Sequence, residues 1–308
     1  KVCGVVCTLN HIMKEELEIA AKEELGETPE LRRESLDIFR KLLQDETDLR
    51  PPPDYVLLMF LRARKYRIDD ALKSLKNFLR IRSSMPEYYN NFLPSAVDYR
   101  TISREHKLFL LSNHRDSHGR ATGLIRFGAW NSSICPFNEF VKSVFMGVEC
   151  LLLEEETQIR GIVGVEDLGG LGMHHVIQMT PMFLRLIVAL AQDTYPLRTK
   201  AFYVVNTPAV FEGIFNLFMK PFLSKKLKER IHLLKGGFSE LRDVIPSDLI
   251  PREHGGTFED FDIDRMERFI LGKQRHFEVM CQCGYATNYT SSSNVKEETQ
   301  PPVFDTRL

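Results

Sequence analysis

One tryptophan, at position 130, is all that the 308-residue chain contains. Cysteine is also sparse. The six (3, 7, 135, 150, 281 and 283) form no C-x-x-C pair and no dense framework. That argues against a thiolate metal site and a disulfide scaffold, and reads as free thiols in a reducing compartment. Long hydrophobic runs are missing: the best, 186–191 and 150–153, fall far short of the ~18 apolar residues that a membrane span needs. The first seven residues carry one lysine and a few apolar side chains, but the apolar stretch is short and acidic, helix-prone sequence follows, so no signal peptide is read there. Neither charge is in excess. With 41 basic against 42 acidic residues the chain does not look like a nucleic-acid binder, although a local patch can hide inside such a balance. What is plentiful is phenylalanine, 21 residues in a chain that is 43% hydrophobic. That excess asks for a large apolar interior, or for an apolar surface that something else covers.

Catalytic signatures are missing as well. Gly170-Leu171-Gly172 begins a dinucleotide fingerprint, but His175 stands where its last glycine belongs. No phosphate-loop lysine motif and no G-x-S-x-G elbow occurs. Asp260-x-Asp262-x-Asp264 imitates the start of a calcium loop, yet Arg265 replaces the turning glycine and Leu271 the bidentate glutamate. His174 and His175 are adjacent and are expected to diverge, which denies them a shared metal. The Cys281-Gln282-Cys283 spacing is too short for a metal pair. Hydrolytic or redox catalysis has no visible constellation, and no metal or cofactor site is read.

Apolar periodicity divides the chain. Residues 1–27 read as a charged leader, partly helical or disordered. Over 28–94 three amphipathic helices are predicted, at 29–43, 54–64 and 69–82, with Asp54 and Asp69 as caps. They make a small bundle. From 95 to 262 strands at 108–113, 124–130, 160–165, 200–205 and 230–234 alternate with helices at 136–155, 181–192 and 210–219. This alternation predicts an α/β domain with a mixed, largely parallel sheet. One amphipathic helix is predicted near the C-terminus, placed at 263–280, and 281–308 is a polar tail read as disordered.

Two neighbouring segments stand out. Around 207–223, Val210, Phe211, Ile214, Phe215, Leu217, Phe218 and Met219 cover more than half of a helix circumference. Such a helix is either core on both sides or a lid exposed to something oily. Residues 220–235 then carry six basic side chains against one acid, Glu229. Lys226 and Arg230, four apart, share a face if the turn stays helical. Taken alone this is either a solvated basic face or a docking site for an anionic membrane; its position beside the apolar helix favours docking.

The strings Phe60-Leu61-Arg62-Ala63-Arg64-Lys65-Tyr66, Glu155-Glu156-Thr157-Gln158, Gln192-Asp193-Thr194-Tyr195-Pro196-Leu197-Arg198, Lys220-Pro221-Phe222-Leu223, Lys228-Glu229-Arg230-Ile231 and Leu249-Ile250-Pro251-Arg252-Glu253-His254-Gly255-Gly256 run in one order over about 28–275. In them the chain resembles the CRAL-TRIO lipid-transfer family, and within it the branch of the tocopherol transfer and retinaldehyde-binding proteins. The resemblance implies a monomeric, cytosolic, non-enzymatic carrier of a hydrophobic small molecule, an isoprenoid such as a tocopherol or retinoid, which docks on endosomal or plasma membranes. It implies a sheet flooring an apolar cavity, a gate helix over it (Phe211, Ile214, Phe215 and Phe218), and a phosphatidylinositol bisphosphate site at Arg64, Arg198, Lys226 and Arg230. Arg198 replaces a family lysine. For Arg64 the alternative is a salt bridge within the bundle. The expected cavity wall is Trp130 at a strand end, Val141, Val144, Phe145, Val148 and Leu152 on one helix face, Ile162 and Glu166 on one strand face, and Ile187, Leu190 and Phe202, with Phe211, Ile214 and Phe218 of the gate completing it. Val144 and Val148 stand where the tocopherol pattern has serines. Glu166 stands where that pattern has phenylalanine and the retinaldehyde pattern glutamate. It either meets a polar ligand end or turns to solvent or an arginine. An adaptor that uses its lipid pocket only for membrane recruitment is the alternative function.

Overall fold

The computed structural model describes the backbone of residues 2–285 and the side chains of residues 14–285. The segment read as a leader is a helix, α1 (Val2–Leu25), and its end is core: Ala20, Ala21 and Leu25 are buried. Gly26 ends it at φ +73, where its N–H and that of Glu27 close back on the carbonyls of Lys22 and Ala21. α2 (Pro29–Gln44) starts on Thr28, whose hydroxyl accepts the Leu31 N–H, and buries Ser35, Phe39 and Leu43 at every fourth position. The strand β1 (Leu49–Arg50) precedes the triple proline, after which come α3 (Asp54–Ala63), α4 (Ile68–Ser84) and the short α5 (Pro86–Tyr89). Asp54 and Asp69, expected as caps, instead fall in the first turns, where acids still complement the helix dipole.

The sheet is built from β2 (Phe109–Leu111), β3 (Ala121–Ile125), β4 (Ile162–Asp167), β5 (Thr199–Val205) and β6 (Ile231–Leu233). Among the described residues these form one five-stranded sheet in that order, with β2 and β3 antiparallel and the rest parallel. Between β3 and β4 lie α6 (Phe137–Leu152) and α7 (Glu155–Arg160), and α8 (Met173–Gln178) and α9 (Pro181–Ala189) join β4 to β5. After β5 come α10 (Ala209–Ile214), a π-helical turn (Phe215–Met219), a 3₁₀ turn (Lys220–Phe222) and the one-turn α11 (Lys225–Lys228). β3 begins three residues earlier than expected and ends at Ile125, because residues 127–129 turn sharply where Gly128 passes the 168–169 backbone; a Cβ there would meet Gly169 O at 2.4 Å. Trp130 is therefore not at a strand end.

The predicted helix 263–280 is two, α12 (Ile263–Leu271) and α13 (Gln274–Met280), broken at Gly272-Lys273. Part of the tail is ordered: β7 (Gly284–Tyr285) pairs antiparallel with β1. Residues 286–308 of the expected tail lie outside the described residues. The acids of the mock calcium loop have structural partners. Asp260 pairs with Arg252, Asp262 caps α12, and Asp264 pairs with Arg104.

Candidate functional site

Strand register decides which side chains face the helices. Phe109 lies against α6, since a Cβ on Gly147 would come within 2.3 Å of its ring. Pairing carries that face from Phe109 to Ile125, then to Glu166 and Val204. Ile162, Gly164, Glu166 and Phe202 thus share it, as period-two alternation predicts, and the Phe202 ring occupies the space that Gly164 leaves empty. On the opposite face Leu124, Val163, Val165 and Val205 are fully buried and Tyr203 half-buried, whereas Gly164, Glu166 and Phe202 keep some accessible surface. Val144 and Val148 on α6, Ile187 on α9 and Ile214 on α10 are half-buried in the same way. Half-buried apolar side chains packed against the core in this way suit the wall of an internal space.

Glu166 is the exception in that wall. No hydrogen bond or ion pair to its carboxylate occurs among the described residues, and burial, reinforced by the Asp167 charge, pushes it up to about 7. Asp167, on the other face, is satisfied by the Gly169 N–H and the Asn206 amide. Glu166 turns to no arginine among the described residues.

The remaining expected wall residues are more deeply packed. Trp130 is 2% exposed; it is packed with Phe127, Phe137, Phe140 and both histidines, and its indole N–H donates to Cys135 O. Phe145 sits among Tyr88, Tyr89 and Tyr195, toward the N-terminal helices. Val141, Leu152, Ile162 and Leu190 are buried. The imidazoles of His174 and His175 do not diverge. Their centroids lie 3.8 Å apart, but the nitrogens serve separate partners: Gly172 N–H donates to His175 Nδ1, and His174 Nε2 is near Trp130 O.

On the gate, Phe211 and Phe215 stack and are buried, while Val210, Leu217 and Phe218 are exposed. Phe218 was expected inward. The π-helical turn over Phe215–Met219 inserts an extra residue, which breaks the 3.6-residue spacing and leaves Phe218 37% exposed. Met173, Ile177, Met182 and Phe222 are exposed too, so the apolar surface extends beyond the gate.

Arg64, Arg198, Lys226 and Arg230 line one cleft of about 390 Å³, together with Lys65, Arg67 and Lys200. Two acids, Glu23 and Glu24 of α1, face these seven cations. Arg64 makes no salt bridge among the described residues. It donates to Ser74 Oγ at 2.9 Å and Gln192 O at 2.7 Å, both uncharged. The buried ion pair of the Phe60–Tyr66 string belongs to Arg62, which is clamped by Glu27, Glu155 and Gln158. Arg198 and Arg230 are each tethered through one guanidinium nitrogen, to the carbonyls of Ile159 and Thr199. Lys226 is held below the usual lysine range by burial and by the charges of Arg230, Lys65, Arg198 and Arg67. Arg198 and Lys200 also pair with Glu24, whereas Arg64 and Arg230 are positioned by neutral groups; cations crowded together in this way suit an anion. Lys65, Arg67, Lys200 and Glu24 escaped the sequence reading. The Arg198-x-Lys200 spacing at the start of β5 was the one available signal.

Among the described residues no helix is long and apolar enough to cross a membrane. Cys135, Cys150, Cys281 and Cys283 are free; the side chains of Cys3 and Cys7 lie outside those described. A family model described as the CRAL/TRIO domain matches residues 105–256. Over 285 residues the chain is 34% identical to proteins named alpha-tocopherol transfer protein-like from Homo sapiens and Mus musculus, covering 91% of this chain and 80% of theirs. It is 27% identical over 286 residues to clavesin-1 of Rattus norvegicus, with 91% and 80% coverage. Among solved structures, a crystal structure of Sfh5 superposes with a TM-score of 0.50 at 18% identity, over 72% of this chain and 83% of that one, a likeness of fold.

Proposed function

Since the chain belongs to the CRAL/TRIO family of lipid-binding and lipid-transfer proteins, we propose that it is a carrier that encloses one hydrophobic molecule and exchanges it at membranes bearing phosphoinositides. The observation that carries the membrane half is the convergence of seven basic side chains on one cleft beside an exposed apolar surface. Clustered guanidinium and ammonium groups suit a phosphorylated headgroup, each contributing on the order of 1 kcal/mol near an anionic surface. Val210, Leu217, Phe218 and Phe222 lie on or just after the gate and present apolar area to the same membrane. Headgroup contacts that form only when the gate is open shift the population toward the open state.

The ligand half rests on the half-buried apolar wall. Apolar burial supplies affinity at roughly 25 cal/mol per Å², and a few polar groups set orientation. Glu166 supports a ligand with a polar end, a hydroxyl, amine or carbonyl that satisfies an otherwise unpartnered carboxyl. An isoprenoid alcohol or aldehyde meets that description. The name of the relatives, alpha-tocopherol transfer protein-like, belongs to them and agrees with an isoprenoid of this kind.

The test is transfer of a fluorescent isoprenoid from donor to acceptor vesicles, with and without phosphatidylinositol bisphosphate in the acceptor. Wild type is expected to accelerate transfer and to do so more with the phosphoinositide. Lys226→Ala with Arg230→Ala is expected to reduce both vesicle binding and the acceleration about tenfold or more at physiological salt. Vesicle binding without acceleration marks an adaptor instead, and unchanged binding by the double variant removes the docking claim.

A further inference from the structure

The cleft contains an anion of its own. One carboxylate oxygen of Glu24 lies 2.8 Å from Arg198 Nη2 and 2.6 Å from Lys200 Nζ. No other acid pairs with either cation among the described residues. Arg64, Lys65, Lys226 and Arg230 line the same cleft without an ion pair among the described residues, and Arg67 is held by Asp70 at the rim. Glu24 therefore neutralises one end of the cleft and leaves the other open.

The backbone that presents Glu24 is fixed. Ala20, Ala21 and Leu25 anchor the last turns of α1 in the core, Gly26 caps the helix, and Glu27 is locked on the fully buried Arg62. The carboxylate itself is different. Its side chain is 32% exposed, so solutes reach it, and half-exposed pairs of this kind are weak. A rotation about the Glu24 side-chain bonds frees Arg198 and Lys200 without undocking the helix. Burial would raise the Glu24 carboxyl, but the hydrogen bonds and charges of Lys200 and Arg198 hold it below the usual range, so it stays charged near neutral pH.

We infer that Glu24 is a specificity-determining residue of the cleft: an internal counter-anion that a headgroup must displace from Arg198 and Lys200, which sets a minimum charge for the lipid that docks. The inference rests on the reading of the cleft as a headgroup site. A phosphodiester headgroup with one net negative charge offers no advantage over a carboxylate already in place. Each phosphomonoester carries about −1.5 to −2 with three strong acceptor oxygens. A headgroup with two of them engages the open end through one phosphate and competes for Arg198 and Lys200 with the other. The cleft thereby prefers bisphosphorylated inositides over phosphatidylserine at equal surface charge.

Glu18 supplies the control. It is exposed on the same helix α1, lies outside the cleft lining and makes no ion pair among the described residues. The experiment measures partitioning of the full chain onto phosphatidylcholine vesicles that contain either phosphatidylinositol bisphosphate or charge-matched phosphatidylserine, for wild type, Glu24→Gln and Glu18→Gln. Thermal melts verify that the variants are folded. Glu24→Gln is expected to gain about tenfold on phosphatidylserine and only about two- to threefold on the bisphosphate, so its preference narrows; Glu18→Gln is expected to move both by less than about twofold, as a screened surface charge does. Equal effects of the two variants, or an unchanged preference in Glu24→Gln, overturn the inference while leaving the headgroup site standing. If wild type and Glu24→Gln both ignore either vesicle, the headgroup site falls and the inference falls with it. Binding by Glu24→Gln where wild type fails supports the displacement directly.

Discussion

At the scale of single residues, the chemistry turns on side chains whose partners sequence cannot supply. The string Phe60–Tyr66 puts two arginines two residues apart, and nothing in it says that Arg62 is buried in a structural clamp while Arg64 faces the basic cleft. Glu166 could be placed on its strand face by alternation, but its lack of a partner depends on what the helices bring opposite it. That lack has a consequence for stability. The folded carboxyl keeps its proton to about 7, against an ordinary value of 4.5 for the free side chain. Between those values the folded state binds more protons, so the contribution is fully present at low pH and is lost as pH rises through 7, at most about 3 kcal/mol. Glu166→Gln removes this dependence. Urea melts at pH 5 and pH 8 are expected to show wild type losing about 2–3 kcal/mol more than the variant over that interval. Identical slopes would show that water or a flexible neighbour already serves the carboxylate. An apolar ligand carrying a hydroxyl is expected to flatten the wild-type slope by giving the carboxylate a donor.

Among elements, long periodic helices and β-branched strands were legible, because burial of one face leaves its period in the sequence. The order of strands and helices from β2 to β6, and hence the largely parallel sheet, follows from that. Boundaries set by close backbone approach were not. Gly128 against residues 168–169 cut β3 short, and the break at Gly272-Lys273 divided a continuous amphipathic pattern. The gate shows the same limit. An α-helical period puts Phe211, Phe215 and Phe218 on one side, and the π-helical turn moves Phe218 to the other. That displacement separates two roles within one segment. Leu217→Ser with Phe218→Ser is expected to leave the thermal midpoint within about 2 °C, since neither side chain is core, yet to weaken vesicle binding about tenfold or more through lost apolar contact. Phe211→Ala, by contrast, empties a buried site and is expected to cost about 3–5 kcal/mol of stability. If the double variant lost stability and the single one did not, the inner and outer faces would be assigned the wrong way round.

For the whole molecule, the question is what makes the N-terminal helices and the sheet layer unfold together. Near-neutral composition hides strong internal pairing, and the join is made of charge. Arg82 of α4 donates to both oxygens of Glu149 on α6 at 2.8 Å, and Tyr195, which follows α9, donates to Glu149 at 3.1 Å and meets the Tyr89 hydroxyl at 2.8 Å. The guanidinium also lies 5.0–5.2 Å from the rings of Phe78, Tyr89 and Phe92, enclosed by aromatic faces. Arg82 and Glu149 are both nearly or wholly buried, so the attraction between them mainly offsets desolvation, and removing one partner strands the other. Glu149→Ala is therefore expected to destabilise by about 3–5 kcal/mol. Arg82→Met with Glu149→Leu, which removes both charges, is expected to cost clearly less than either single loss. The lone tryptophan makes the test clean. Trp130 fluorescence reports the aromatic cluster at the sheet layer, while far-ultraviolet circular dichroism reports all the helices. In wild type the two urea transitions are expected to coincide, and in Glu149→Ala to move together to lower urea, because the Arg62 clamp to Glu27 and Glu155 still binds the layers. Transitions that separate in Glu149→Ala would mean that the Arg82–Glu149–Tyr195 network alone couples them; a double variant as unstable as the single would mean that packing, not the stranded charge, sets the cost.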